Sequence, residues 1–389
     1  MSRLNELIQS ICPNGIEYKN LKDVLSIERG KRVVKKQLSE VHGYPVYQNS
    51  LTPLGLYVEY NCPENTAFVI MAGAAGEIGY SRERFWAADD CFAIVCPSSI
   101  CSKYIYHVLL NEQMVLKRNV RKASIPRLSR DTLECLKIPL PPLAVQQEIV
   151  RILDSFTELT AELTAELTAR RKQYEHYRDE LLTFDGSVKR MALKDVCIKV
   201  QDGNYGKEYP SKSELLKSGV PLINGKAIHG TICKEALDFI SEEKNEELKK
   251  ARIATDDVLF LNRGNIGETA YVPTEFDNCN IGPQVTLLRA NKSKILPKYL
   301  EFALHSKDVR NFISRVGGGT IKFLSVEPIR QLEIPVPPLA IQKQIVSVLA
   351  RFDTLCNDLT SGLPAEIAAR QKQYEYYRDK LLTFKELER

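Results

Sequence analysis

The chain has 389 residues, 44% of them hydrophobic and 26% charged. That is enough for two domains with real cores and too apolar for a disordered protein. Lys and Arg number 54 against 49 Asp and Glu, so the formal net charge is +5, which permits a nucleic-acid partner without arguing for one.

The opening MSRLNELIQS lacks a signal-peptide pattern, and no apolar run reaches the ~18 residues of a membrane helix. No membrane association is expected, and the ten scattered cysteines read as reduced thiols of a cytoplasmic protein. Cys91, Cys96 and Cys101 fall five apart with no CxxC pair or neighbouring His, so buried thiols are expected there rather than a zinc site.

In chain order, residues 1–137 form a variable region, 138–187 a spacer, 188–333 a second variable region and 334–389 a second spacer. The spacers are near-duplicates. IPLPPLAVQQEIVRIL from Ile138 returns as IPVPPLAIQKQIVSVL from Ile334, and RRKQYEHYRDELLTF ending at Phe184 returns as RQKQYEYYRDKLLTF ending at Phe384. The second copy is four residues longer. The variable regions repeat more faintly: LKDVLSIERG with LKDVCIKVQDG, GAAGEIGY from Gly73 with GNIGETAY from Gly264, and SIPRLS from Ser124 with TIKFLS from Thr320. Two copies that diverge in one part and agree in another do different things with the first and the same thing with the second.

Each spacer reads as a long helix entered through prolines, which suit a first helical turn. A seven-residue period traced from Ile149 puts Ile149, Phe156, Leu163, Arg170, Tyr177 and Phe184 at one core position. It puts Leu153, Thr160, Leu167, Tyr174 and Leu181 at the other. The tetrapeptide T-A-E-L recurs inside this helix, bringing Leu159, Leu163 and Leu167 to one side between good helix formers. The second helix carries TSGLP at 360–364, where Gly362 and Pro364 predict a kink or break. Two such helices pair most simply antiparallel. Charge is partitioned as well: the variable regions carry +4 each and the first spacer −4. That is the distribution expected if the variable regions meet phosphate.

With these segments in place, the chain resembles the specificity subunits of type I restriction–modification systems over essentially its full length. The resemblance rests on two variable regions, each followed by IP[LV]PPLA[VI]Q and a helix ending QYE[HY]YRD[EK]LLTF; TAELTAEL is similar to the spacer repeat of the type IC branch. It implies an α+β protein of two mixed α/β target-recognition domains joined by two long antiparallel coiled-coil helices, with an internal pseudo-twofold repeat. It further implies double-stranded DNA as ligand, a bipartite target read one half per domain, and two modification and two restriction subunits as partners. Those partners would carry S-adenosylmethionine, ATP and Mg, with no cofactor or metal on this chain.

No catalytic motif stands against that reading. LPPL at Leu140 and VPPL at Val336 lack the polar and aromatic residues that flank Pro-Pro in amino-methyltransferases. VGGGT at Val316 lacks the context of a dinucleotide loop, and NGKA at Asn224 lacks that of a phosphate loop. DNA-binding candidates are the basic and amide side chains of loop-like clusters, the types that hold phosphates and read base edges. In the first region these are Lys31, Arg32, Lys35, Lys36, Gln48, Asn49, Lys117, Arg118, Arg121, Lys122 and Arg127. In the second they are Asn204, Lys207, Asn224, Lys226, Asn262, Arg263, Asn265 and Lys322. GAAGEIG and GNIGE read as hairpin turns. The rival reading is a coiled-coil scaffold joining two protein-binding domains.

Overall fold

Both halves of the chain fold by one plan. In the first, a four-stranded antiparallel sheet runs in the order Ser26–Arg29, Cys91–Val95, Thr66–Ile70, Ile78–Ser81; in the second, Cys197–Asp202, Val285–Ala290, Val258–Leu261 and Thr269–Tyr271 repeat that order. The third strands, TAFVI and VLFL, are buried along their whole length, which is why they read as continuous apolar runs rather than alternating ones. A three-stranded sheet accompanies each: Tyr44–Tyr47 lies antiparallel to Leu56–Tyr57 and parallel to Trp86–Ala87, and Val220–Ile223 lies likewise between Asp238–Ile240 and Asn280–Ile281. A two-stranded ribbon ties each region's start to its end, Tyr18–Asn20 with Lys137–Pro139 and Arg190–Ala192 with Glu333–Pro335. This computed structural model describes the chain except residues 1, 207–208, 318–322, 358–360 and 388–389, and the side chains of 2, 316 and 317.

The spacer prolines lead into helices as expected. The central helix runs unbroken from Leu143 to Leu181, 39 residues. The C-terminal spacer is two helices, Leu339–Asn357 and Leu363–Leu382. The second begins one residue past Gly362 and takes Pro364 into its first turn, where a missing N–H costs no hydrogen bond. The central helix buries Ile149 and Leu153 fully, and Phe156, Thr160, Leu163, Leu167, Arg170 and Tyr174 are half-buried at three- and four-residue steps. Tyr177, 37% exposed, lies 5.5 Å from Phe352 of the partner helix. Leu159 completes the T-A-E-L side, half-buried like its two repeats, while Glu158, Glu162 and Glu166 face out.

The chain divides into two compact units. One comprises Met1–Leu163 with Ile367–Arg389, the other Thr164–Glu366. In the first, Phe156 stacks on Tyr377 (5.3 Å between centroids) and Leu153 shares a core with Leu381. In the second, Arg171 donates to the Cys356 carbonyl and Tyr174 lies 6.4 Å from Phe352. In both units a later residue of the central helix meets an earlier residue of its partner, so the helices run antiparallel. The first unit closes on the far end of the chain: Ile16 N–H donates to the Lys385 carbonyl (2.8 Å), Leu387 N–H to the Ile16 carbonyl (2.9 Å), and Tyr18 Oη to the Phe384 carbonyl (3.3 Å).

The invariant IP-PPLA-Q signature is a joint. Gln146 is buried; its amide donates to the Pro141 carbonyl (2.7 Å) and its oxygen accepts from Cys101 N–H (2.8 Å). Gln342 repeats both bonds, to Pro337 (2.8 Å) and from Leu296 (2.8 Å). Tyr104 and Tyr299, fully buried, donate to the carbonyls of Pro139 and Pro335. Losing one partner of such a pair strands the other, at about 1–3 kcal/mol each. Each spacer helix is thereby fixed to its recognition sheet through the residues that agree between copies.

Candidate nucleic-acid interface

The polar clusters converge at one end of each sheet. In the first unit the hairpin tip 73–76 is the hub. Gly73 N–H donates to the Pro126 carbonyl (3.1 Å) and Ala74 N–H to the Asn49 carbonyl (2.9 Å). Arg121 and Arg127 exchange two backbone bonds in a small loop of their own. The turn at Asp89 reaches the remaining cluster: its carbonyl accepts from Arg29 Nε (3.1 Å) and its carboxylate from Gln48 Nε2 (3.3 Å). Lys31, Arg32, Lys35, Lys36, Arg118, Arg121, Lys122 and Arg127 are exposed and form no ion pair among the described residues. Asn49 is exposed beside them. Lys117 differs, since Glu77 neutralises it at 2.8 Å.

The second unit gathers its clusters the same way but spends them differently. Asn204 is buried and its amide donates to Asn280 Oδ1 (3.1 Å). Asn224, also buried, donates to Asp238 (2.8 Å) and accepts from Tyr209 Oη (3.1 Å), whose own pKa burial pushes up. Asn262 is fully buried against Thr286 Oγ1 (3.1 Å). Lys226 pairs with Asp238 at 2.7 Å, and the exposed Asn265 side chain donates to Glu268 at 3.4 Å. Arg263 is exposed, with its guanidinium 4.8 Å over the Phe323 ring. Lys207 and Lys322 lie outside the described residues.

Beneath these differences the backbone frame is the same. Gly30 N–H donates to the Cys91 carbonyl (3.0 Å), Lys31 to Ala87 (2.9 Å), Ala88 to Tyr47 (2.8 Å), Met71 to Asp90 (2.8 Å) and Leu128 to Met71 (2.8 Å). In the second unit Gly203 donates to Val285 (2.9 Å), Asn204 to Ile281 (3.3 Å), Gly282 to Ile223 (3.0 Å), Asn262 to Gln284 (3.0 Å) and Leu324 to Asn262 (2.8 Å). Equivalent positions therefore carry Lys31 and Asn204, Met71 and Asn262, Asp90 and Gln284. Two glycines hold the frame tight: a Cβ on Gly30 would lie 2.1 Å from the Ala88 carbonyl oxygen, and one on Gly203 would lie 1.9 Å from that of Gly282. Asp90, Asn280, Gln284 and Thr286 escaped the sequence reading because nothing local marks them. The aligned repeats GAAGEIGY and GNIGETAY, and SIPRLS and TIKFLS, did carry the signal for the frame.

Duplicated mixed domains, each presenting one polar loop cluster and each fixed to a spacer helix, define a protein built from two copies of one module. A family model described as the type I restriction modification DNA specificity domain matches residues 13–170 and again 186–369, and the chain belongs to that family. It is 32% identical to a chain named as a type I restriction enzyme specificity subunit of Haemophilus influenzae, over 95% of this chain and 96% of that one. It is 31% identical to the EcoR124I/EcoR124II specificity subunit of Escherichia coli, over 95% and 89%. The fold matches the crystal structure of a type I S subunit from M. genitalium with a TM-score of 0.62 at 17% identity, covering 95% and 96% of the two chains. The chain is thus a specificity subunit, the non-catalytic component of such a system. Among the described residues no group of three or more His, Cys, Asp or Glu could hold a metal, all ten cysteines are free, and no helix is long and apolar enough to cross a membrane.

Proposed function

We propose that each unit reads one half of a bipartite DNA target and that the spacer helices set the interval between the halves. The observation that carries this is the shared backbone frame with divergent side chains: one scaffold offered twice, each time with a different set of donors and acceptors. Of the free cations of the first unit, Lys31, Arg32, Lys35 and Lys36 hold phosphates, which fix register without reading sequence. The spacers, alike in both copies, take two modification and two restriction subunits in a cytoplasmic complex. S-adenosylmethionine, ATP and Mg then belong to those partners. The experiment is an exchange of residues 1–137 for the same region of a relative, with methylated sites mapped across a genome. One half-site changes and the other is kept. A change in both halves defeats the two-reader scheme, and a complex with no sequence preference returns the protein to the scaffold reading.

A further inference from the structure

One contact of the frame differs between the units in an informative way. Beside the hairpin tip an isolated antiparallel bridge joins Ala72 to Arg127 in the first unit and Arg263 to Phe323 in the second. The bridge is equivalent, yet the arginine sits on opposite sides of it. Each unit thus offers one guanidinium at this place, and neither arginine pairs with a carboxylate among the described residues. Arg263 is the more constrained. Its neighbour Asn262 is fully buried and bonded on both backbone sides, to Gln284 and Leu324, and the guanidinium carbon lies 4.8 Å from the centroid of a ring that is itself 38% exposed.

Stacking holds the plane of a guanidinium and leaves its fork of N–H donors free at the edge. A phosphate asks for charge, which the flexible lysines of a loop supply. A planar fork beside a ring suits two acceptors side by side: a phosphate can offer two oxygens, and among the base edges of duplex DNA the pair is O6 and N7 of guanine in the major groove.

Building on the two-reader proposal, we infer that this bridge is a specificity-determining position of each unit: Arg263 reads a guanine in the second half-site with Phe323 as its positioning residue, and Arg127 reads one in the first.

The test is selection of bound duplexes from a randomised library by the assembled complex, for the native chain and for R263A, R263K, F323L and R127A. R263A makes one guanine of the second half-site degenerate, its preference over other bases falling roughly five- to a hundredfold, with the first half-site unchanged. F323L relaxes the same guanine less, and R263K, which keeps charge but loses the fork, relaxes it too. R127A does the corresponding thing in the first half-site only. A uniformly weaker complex with an unchanged motif and a shallower salt dependence would make Arg263 a phosphate contact and overturn the inference while leaving the two readers standing. A native motif with no guanine in the second half-site overturns it equally. A single variant that alters both half-sites would instead mean that the two-reader proposal itself had failed.

Discussion

Inserting one more T-A-E-L after Leu167 tests the spacer as a ruler. The central helix spans 39 residues, ~58 Å at 1.5 Å per residue, and four more add ~6 Å. Four residues turn the helix by 400°, so everything beyond the insertion rotates by only ~40° relative to its start. The half-buried line through Leu163, Leu167, Arg170 and Tyr174 therefore stays on its side. The contacts that anchor the helix, Phe156 on Tyr377 in the first unit and Tyr174 near Phe352 in the second, fall on either side of the inserted turn and are both kept. The partner spacer is already interrupted at Ser361 and Gly362, where extra length meets no continuous helix. With both variable regions, 1–137 and 188–333, untouched, both half-sites should persist, and the gap between them should widen by about one base pair, ~3.4 Å of rise with its rotation. Inserting two residues rotates the distal half by ~200°, turning Thr168 and Lys172 toward the partner in place of Arg170 and Tyr174, and should abolish activity. Genome-wide mapping of methylated sites reads both variants. An unchanged gap after four residues, or full activity after two, would refute the reasoning.

Two further outcomes follow from the structure. Gly30→Ala and Gly203→Ala each drive a Cβ into a backbone carbonyl at about 2 Å, so each should destabilise its own unit by about 1–3 kcal/mol in denaturant unfolding and blur its own half-site, sparing the other; equal stability of both variants with the native chain contradicts the close approach. His305 is held near pKa 4, chiefly by burial and then by the Arg178 and Arg310 charges, with its Nε2 2.6 Å from Thr269 Oγ1. An unfolded histidine protonates near 6.5 and this one only near 4, so its contribution is intact above about pH 6.5 and lost as the pH falls toward 4, by at most about 3 kcal/mol. Urea midpoints across that range should fall less steeply in His305→Gln than in the native chain, and parallel slopes would exclude the residue as a source of acid sensitivity.

What the sequence disclosed and what it withheld divide along a physical line. The central helix was legible because a period is a local property, and so was the interruption of its partner, since Gly362 and Pro364 act on their own backbone. The prolines of the signature declared a helix start, but the role of Gln146 and Gln342 depends on Cys101 and Leu296, some 45 residues back. The loop clusters were legible as groups of polar and basic residues, yet their members could not be told apart. Asn262 and Asn265 look equally polar in a sequence; one is fully buried against Thr286 and the other exposed. Lys226 reads as a free cation until Asp238 folds back on it. Whether a polar side chain is spent inside the fold or kept for a ligand is decided by partners distant in the chain.

The way the first unit closes has a consequence for how the protein is made. Its sheet is complete early, but the strip that seals it, from Ile367 onward, leaves the ribosome only after all of residues 164–366. The downstream unit has every part it needs before that strip exists. Maturation therefore runs backwards along the gene, the later unit finishing first and the earlier one waiting with the apolar side of its spacer open to water. A nonsense mutation or a proteolytic nick near the carboxyl end would leave the nearby unit whole and disable the one encoded first.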